Sequence, residues 1–146
     1  MQRLSWQDYF LNIARVVSTR STCIHRQFGC ILVKDKRIIA TGYNGSLPGE
    51  AHCYEVGCAR VPYQSGKGYD KCRAIHAEQN ALLYAGQMAK GATAYIIGFE
   101  KDEDLGTWQP TFSAPCIFCE KLLTRAGIEC VIYTDKRLGI VIKELK

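Results

Sequence analysis

The N-terminal segment carries a helical stripe. Trp6, Phe10, Ile13, Ala14 and Val17 recur at helical spacing, and Ser5 stands where a start cap belongs. Ser18–Thr22 breaks the stripe and reads as a loop. Phe28–Val33 and Arg37–Tyr43 are β-rich runs around the polar turn Lys34-Asp35-Lys36, which predicts a hairpin. Asn44–Gly49 is turn chemistry that ends it. From Glu50 to Lys71 no periodicity survives, and a connection of that length inside a compact domain points to function or to an external constraint. Ile75–Gln87 then reads as a helix, with Ala77, Ala81, Leu82 and Ala85 on one side. Thr93–Ile97 is a buried strand. Pro115–Arg125 is a second helix, opened by Pro115 and stopped before Gly127. Ile128–Tyr133 is another strand, and Leu138–Leu145 is a weaker final strand or short helix. This order of elements predicts an α/β domain, with a mixed sheet and helices on its faces.

Composition narrows the class. The chain has 146 residues, 47% hydrophobic and 23% charged, with a formal charge of +5. That is the profile of one globular domain spanning residues 1–146. No window approaches a membrane span, and Met1–Trp6 leads into no signal-like apolar stretch, so a cytoplasmic setting is expected. The modest positive charge fits a phosphorylated small molecule or nucleic acid and decides between neither. What stands out is eight cysteines in a domain large enough not to need staples, which points to metal in a reducing compartment.

The sharpest chemistry lies in His76-Ala77-Glu78 and in Pro115-Cys116-Ile117-Phe118-Cys119. Cys116 and Cys119, three apart at a helix start, can turn both thiols to one point, and the positive helix end favours thiolates. With His76 they form a three-ligand zinc site that leaves a fourth position open, the mark of a catalytic site. Glu78 is then free to act as general acid and base. Two residues along an ideal helix do not share a face, so spacing alone does not bring Glu78 to the metal. The two motifs together are the signature of zinc deaminases. The competing reading is a chance H-x-E beside a structural C-x-x-C; against it, both motifs occur in order and each opens a helix after a loop.

The chain resembles the deoxycytidylate (dCMP) deaminase family, of the bacterial and phage competence-operon type. The resemblance runs from Trp6 to about Asp135. It rests on Arg20-Ser21-Thr22-Cys23, Gly42-Tyr43-Asn44-Gly45, His52-Cys53 with Gly57-Cys58, Cys72 through His76-Ala77-Glu78-Gln79-Asn80-Ala81, and Pro115-Cys116 to Cys119. It implies a cytidine-deaminase-like three-layer α/β/α sandwich with a mixed, about five-stranded sheet. It also implies zinc-dependent hydrolysis of dCMP to dUMP and ammonia in a homo-oligomer, favouring a hexamer, under dCTP and dTTP control. In that chemistry water attacks C4 of cytosine at the metal, and Glu78 carries protons to N3 and to the leaving amine.

The remaining cysteines divide. Cys23, Cys53, Cys58 and Cys72 punctuate the core-poor loop, where a structural zinc would supply what hydrophobic burial cannot. Their spacing is too loose to settle this against reduced surface thiols or disulfides. The resemblance favours zinc, since some relatives use the positions of Cys23 and Cys53; His52 replacing one thiol is the variant ligand set. Cys30 and Cys130 sit in apolar strand runs and are expected to pack. By resemblance the Arg20–Ser21 loop and Asn44 border the substrate. Arg26 and Ala77 join them as substrate-binding candidates, and Tyr133 is either pocket wall or core.

One stretch departs from the family pattern. Glu100–Ala114 interposes extra residues before Pro115, acidic at the start and carrying Trp108 and Phe112. It can form a lid, a selectivity element, an oligomer contact or a solvated loop. A dCTP or 5-modified dCMP deaminase is therefore the nearest alternative. An RNA or tRNA base deaminase is disfavoured by the cysteine set and the lack of a basic stripe. A zinc-binding scaffold without activity would have no use for Glu78.

Overall fold

The computed structural model describes residues 2–64 and 66–145. Helix α1 spans Trp6–Ser18, and its start is capped as expected, Ser5 Oγ accepting from Asp8 N at 3.1 Å. Strands β1 (Arg26–Lys34) and β2 (Arg37–Tyr43) form the hairpin. Lys34 pairs with Arg37, so only Asp35 and Lys36 turn the chain, at φ of 52° and 60°. Positive φ at both central residues is the type I′ geometry that matches strand twist.

The core-poor stretch is less formless than its pattern suggested. Short strands β3 (Gly45–Ser46) and β4 (Ala74–Ile75) pair across it, and a one-turn helix α2 covers Cys53–Val56. Helix α3 runs Ala77–Ala85, β5 Thr93–Lys101, β6 Trp108–Pro110, α4 Ile117–Arg125, β7 Cys130–Thr134 and β8 Ile140–Glu144. Leu138–Leu145 thus holds a strand. Two expected helix starts move inward: Ile75 belongs to β4, and Pro115 precedes the α4 cap instead of opening the helix.

The main sheet has the order β2-β1-β5-β7-β8, with β6 also pairing to β5. Only β5–β7 is parallel, as a strand–helix–strand connection requires. Strand alternation splits the core into two. Cys30, Leu32, Ala94, Ile96, Val131 and Tyr133 face α3 and α4. Ile31, Val33, Tyr95, Ile97, Phe99 and Ile132 face α1 with Phe10, Leu11 and Ala14. Each fully buried Ile, Leu or Phe contributes about 1.5–3 kcal/mol. The three-layer α/β/α sandwich is therefore borne out. Cys30 is fully buried as expected, whereas Cys130 is only partly so. Among the described residues no helix is long and apolar enough to cross a membrane.

The segment Glu100–Ala114 is a β-hairpin. Strand β5 continues to Lys101, and Asp102 Oδ1 accepts from Asp104 N and Leu105 N in the turn. Strand β6 then returns along β5. Its tip lies against the loop before β1, where Glu103 Oε1 is 3.2 Å from His25 Nδ1 and Lys101 N donates to His25 O. The solvated loop is not found: the segment is paired as strand, and Trp108 is 37% exposed on the returning strand.

Candidate active site

Helices α3 and α4 lie on the same sheet face, and their N-termini meet. His76 caps α3 and Cys116 caps α4. Neither residue is inside its helix, so the helical-face argument does not restrain His76 relative to Glu78. Gln79 Oε1 accepts from His76 N at 2.8 Å and fixes the α3 entry. The sulfur of Cys116 accepts from Cys119 N at 3.5 Å and closes the first turn of α4.

His76 Nδ1 stands 3.3 Å from Cys119 Sγ and 3.8 Å from Cys116 Sγ. Among the described residues these three form the one group of three or more potential ligands whose donor atoms lie within 4.8 Å of one another. His76 and Cys116 are exposed while Cys119 is buried, so the cluster opens on one side. Glu78 is 4% exposed and its carboxyl meets the Cys119 thiol. Burial raises the Glu78 pKa, with its own backbone N–H, His76 and Cys119 opposing the rise. Burial, then the charges of Glu78 and Cys116, raise the Cys119 thiol strongly. Acidic groups crowded in this way are what a divalent cation relieves, by deprotonating the thiols it binds. Two thiols, one imidazole nitrogen and an open side fit zinc.

Two of the substrate candidates, Ser21 and Asn44, meet at the backbone carbonyl of a third, Arg26. Ser21 Oγ and Asn44 Nδ2 both donate to Arg26 O, at 3.2 and 3.0 Å. Asn44 Oδ1 also accepts from Phe28 N at 2.8 Å, so its amide is held by the backbone of β1. Asn80 Nδ2 donates to Tyr43 O at 2.9 Å and ties this strand end to α3. Arg20 and Arg26 are exposed, and Ala77 is buried as the first residue of α3. Tyr133 packs in the core, edge-to-face with exposed Phe112 at 5.4 Å.

Around Cys53 the other thiols draw near without closing into a ligand group. Burial raises the Cys53 pKa first; Cys23, Cys58 and Cys72 add to the rise, and an Arg73 hydrogen bond opposes it. His52 Nδ1 is turned elsewhere, 2.7 Å from the Tyr54 hydroxyl and 3.4 Å from Glu55 Oε1. No disulfide links the cysteines.

Sequence reading missed two small residues that shape this face. A Cβ on Gly42 would lie 2.3 Å from Ala77 O, so only glycine lets α3 rest on β2. Ser113 is fully buried with Thr134 beneath the α4 entry. Gly42 lies in the Gly42-Tyr43-Asn44-Gly45 run, where nothing in the sequence marks its contact; Ser113 carries no sequence signal beyond its closeness to Pro115.

Fold and site together define an α/β/α protein with an open His–Cys–Cys cluster that fits a metal ion, and with a buried carboxylate beside it. Residues 4–135 match the family model described as the cytidine and deoxycytidylate deaminase zinc-binding region. The chain belongs to that family, as the motifs implied. It is 38% identical to a deoxycytidylate deaminase of Mycobacterium phage D29, over 91% of this chain and 97% of the relative. It is 39% identical to the Schizosaccharomyces pombe deoxycytidylate deaminase over 90% of this chain, and 37% identical to ComE operon protein 2 of Bacillus subtilis over 92%. The chain spans only 37% of the former and 62% of the latter. In fold it is similar to the apo dCMP deaminase of cyanophage S-TIM5, with a TM-score of 0.64 at 23% identity, covering 92% of this chain and 86% of that one.

Proposed function

We propose that this chain hydrolyses the amino group of dCMP, giving dUMP and ammonia. The observation that carries the reading is the buried Glu78 carboxyl lying against Cys119 within the open His76–Cys116–Cys119 cluster. Relatives named deoxycytidylate deaminase, among them the phage D29 protein matched over nearly its whole length, support the choice of substrate.

His76, Cys116 and Cys119 would hold the zinc. Bound there, it supplies a Lewis acid that brings the pKa of water down to about 7. The chain's own residues do the rest. Water adds at C4 of cytosine and the bond to the amine breaks. Glu78 accepts one water proton and passes it to N3, then takes the proton of the hydroxyl newly added at C4 and gives it to the departing amine as the C4 carbonyl forms. A carboxyl whose pKa is raised by burial suits a group that must both take and give a proton. The Arg20–Ser21 loop, Arg26, Asn44 and the N-terminus of α3 at Ala77 would border the nucleotide.

A structural zinc on Cys23, Cys53, Cys58 and Cys72 belongs to the same proposal. His25 N and Arg60 N each point to the sulfur two residues earlier, Cys23 Sγ and Cys58 Sγ, both at 3.4 Å. Such bonds suit thiolates held for a metal. His52 is the weaker ligand candidate, its ring being engaged by Tyr54 and Glu55. Homo-oligomerisation, with a hexamer as the expected form, is supported by exposed Leu83 and Tyr84 on α3, Met88 in the turn after it and Phe118 on α4. Control by dCTP and dTTP, and a cytoplasmic setting, are carried by the resemblance alone.

The test is direct. Zinc-loaded protein is incubated with dCMP, dCTP, cytidine and a tRNA anticodon stem, and ammonia is followed. Turnover of dCMP above the others is expected, and Glu78→Gln should keep zinc and lose turnover. Release of ammonia by Glu78→Gln at the wild-type rate would refute the role of Glu78; turnover of the tRNA stem alone would refute the substrate class.

A further inference from the structure

We infer that Ser113, acting through Thr134 and Ile96, is a positioning residue that sets where the metal-ligating turn Pro115–Cys119 sits. Its side chain is fully buried, yet it is a hub of hydrogen bonds. Ser113 Oγ accepts from Thr134 N at 2.9 Å. It lies 3.1 Å from both Ile96 O and Thr134 O, and 3.2 Å from Thr134 Oγ1. Ser113 N donates to Thr134 O at 3.0 Å.

Ile96 and Tyr133 are the last pair of the parallel β5–β7 ladder. Just beyond them β5 exchanges β7 for β6 as its partner, and β7 ends. The backbone groups at this fork lose their strand partners and would be buried unpaired, which is costly. Ser113 satisfies them from a third segment, so it locks that segment to the strand ends. Ligand sites of α/β folds gather at such carboxyl ends of strands.

The lock reaches the metal because the link is short and stiff. Only Ala114 and Pro115 separate Ser113 from Cys116. Proline fixes its own φ and restricts the residue before it, so both intervening residues have lost most of their freedom. Ala114 packs on the core as well. Cys116 then caps α4, and its sulfur fixes Cys119 N. A shift at Ser113 is therefore passed to both sulfurs and cannot be absorbed in between.

This inference rests on the zinc reading of His76, Cys116 and Cys119, and the test keeps the two apart. Zinc affinity is measured by chelator competition for the wild type, Ser113→Ala, Thr134→Val and the double variant, with thermal unfolding and steady-state kinetics beside it. Failure of the wild type to bind zinc would defeat the zinc reading itself. If the wild type binds, Ser113→Ala should weaken zinc about tenfold, the low end of what loosening a ligand's support does. It should also lower kcat with little change in KM. Thr134→Val should act in the same direction, and the double variant should fall short of the two effects added. A lower melting temperature with zinc affinity and kcat unchanged would mean that Ser113 is structural only and would overturn the inference. If Ser113→Ala does not fold, Ser113→Cys keeps the volume and a weak donor; it must weaken zinc in smaller measure, and native affinity in it overturns the inference equally.

Discussion

Gly42→Ala probes how closely α3 must approach the sheet. The added Cβ would lie 2.3 Å from Ala77 O, 2.5 Å from Ala81 N and 3.1 Å from Ala81 Cα. All three are backbone atoms, so no side chain can swing aside. Ordinary contact begins near 3.4 Å, and the N-terminal half of α3 must therefore retreat by about 1 Å. Gly42 does not need positive φ, so alanine is allowed by the backbone and the whole penalty comes from the contact. Overpacking of this kind costs about 1–3 kcal/mol. The retreating turn carries Glu78, with His76 at its cap, and a displacement of about 1 Å at a reacting group can cost about 10²-fold in rate.

The internal control is Gly29→Ala. Its Cβ would meet Ala14 O at 2.0 Å and Ser18 N at 2.8 Å, on the opposite face of the sheet. That clash displaces α1, which carries no ligand. Both variants should lose stability in urea titrations. Per mole of folded, zinc-loaded protein, Gly42→Ala should lose about 10²-fold in kcat for dCMP deamination and Gly29→Ala should stay within about threefold of wild type. Equal losses in kcat for the two variants, or none in Gly42→Ala, would refute the argument that α3 contact sets the site geometry.

Cys116→Ser removes one ligand and the sulfur that accepts from Cys119 N; equilibrium dialysis should show loss of the catalytic zinc, and retention of full stoichiometry would contradict the assignment. Elemental analysis should give two zinc ions per wild-type chain and one in Cys53→Ser, and a wild-type value of one would eliminate the structural site. Metal-free Glu78→Gln should be more stable than metal-free wild type at neutral pH. Burial raises the folded pKa of Glu78, so the wild-type chain loses stability as pH rises through that value. The advantage of the variant should therefore shrink as pH falls towards the ordinary glutamate value of about 4.3, and denaturant titrations across pH check the sign. Asn44→Ala strands the part-buried Phe28 N, bonded now at 2.8 Å, and leaves the exposed Arg26 O to Ser21 Oγ alone; a loss of about 1 kcal/mol is expected from the one donor left unpaired.

Elements with strong local signals were legible. The α1 stripe with Ser5, the β1–β2 turn and the candidate ligands at the α3 and α4 starts follow from spacing and cap chemistry within a few residues of chain. The relation between His76 and Glu78 was not, because it depends on His76 standing at the cap and outside the helix. The Glu100–Ala114 hairpin was obscured by acidic residues and by a returning strand of only three residues, Trp108–Pro110, too short for alternation to show. Pro115 was read as a helix opener from the frequent place of proline in the first turn; here Cys116 takes the cap and proline stiffens the approach instead. Ser113 and Gly42 escaped notice since their partners, Thr134 and Ala77, are remote in sequence, and only the sheet order brings them together.

This division has a physical reason. Ligand type is local: two thiols and an imidazole select a soft, tetrahedral-preferring cation wherever they occur. Ligand position is not local, since His76 and Cys116 lie on different helices and no covalent constraint near either fixes their separation. The distance from His76 Nδ1 to the two sulfurs, 3.3 and 3.8 Å, is the sum of how deep α3 sinks onto β2 and how the β5–β7 fork holds the approach to α4. Gly42 controls the first and Ser113 the second. A change at either moves one half of the ligand set relative to the other, so their effects on zinc affinity must be coupled although the two residues serve different helices. Zinc affinity in the Gly42→Ala, Ser113→Ala double variant should therefore depart from additivity, whereas Gly29→Ala combined with Ser113→Ala should add, because α1 holds neither half. Additivity in both pairs would mean that the two helix ends are positioned independently of one another.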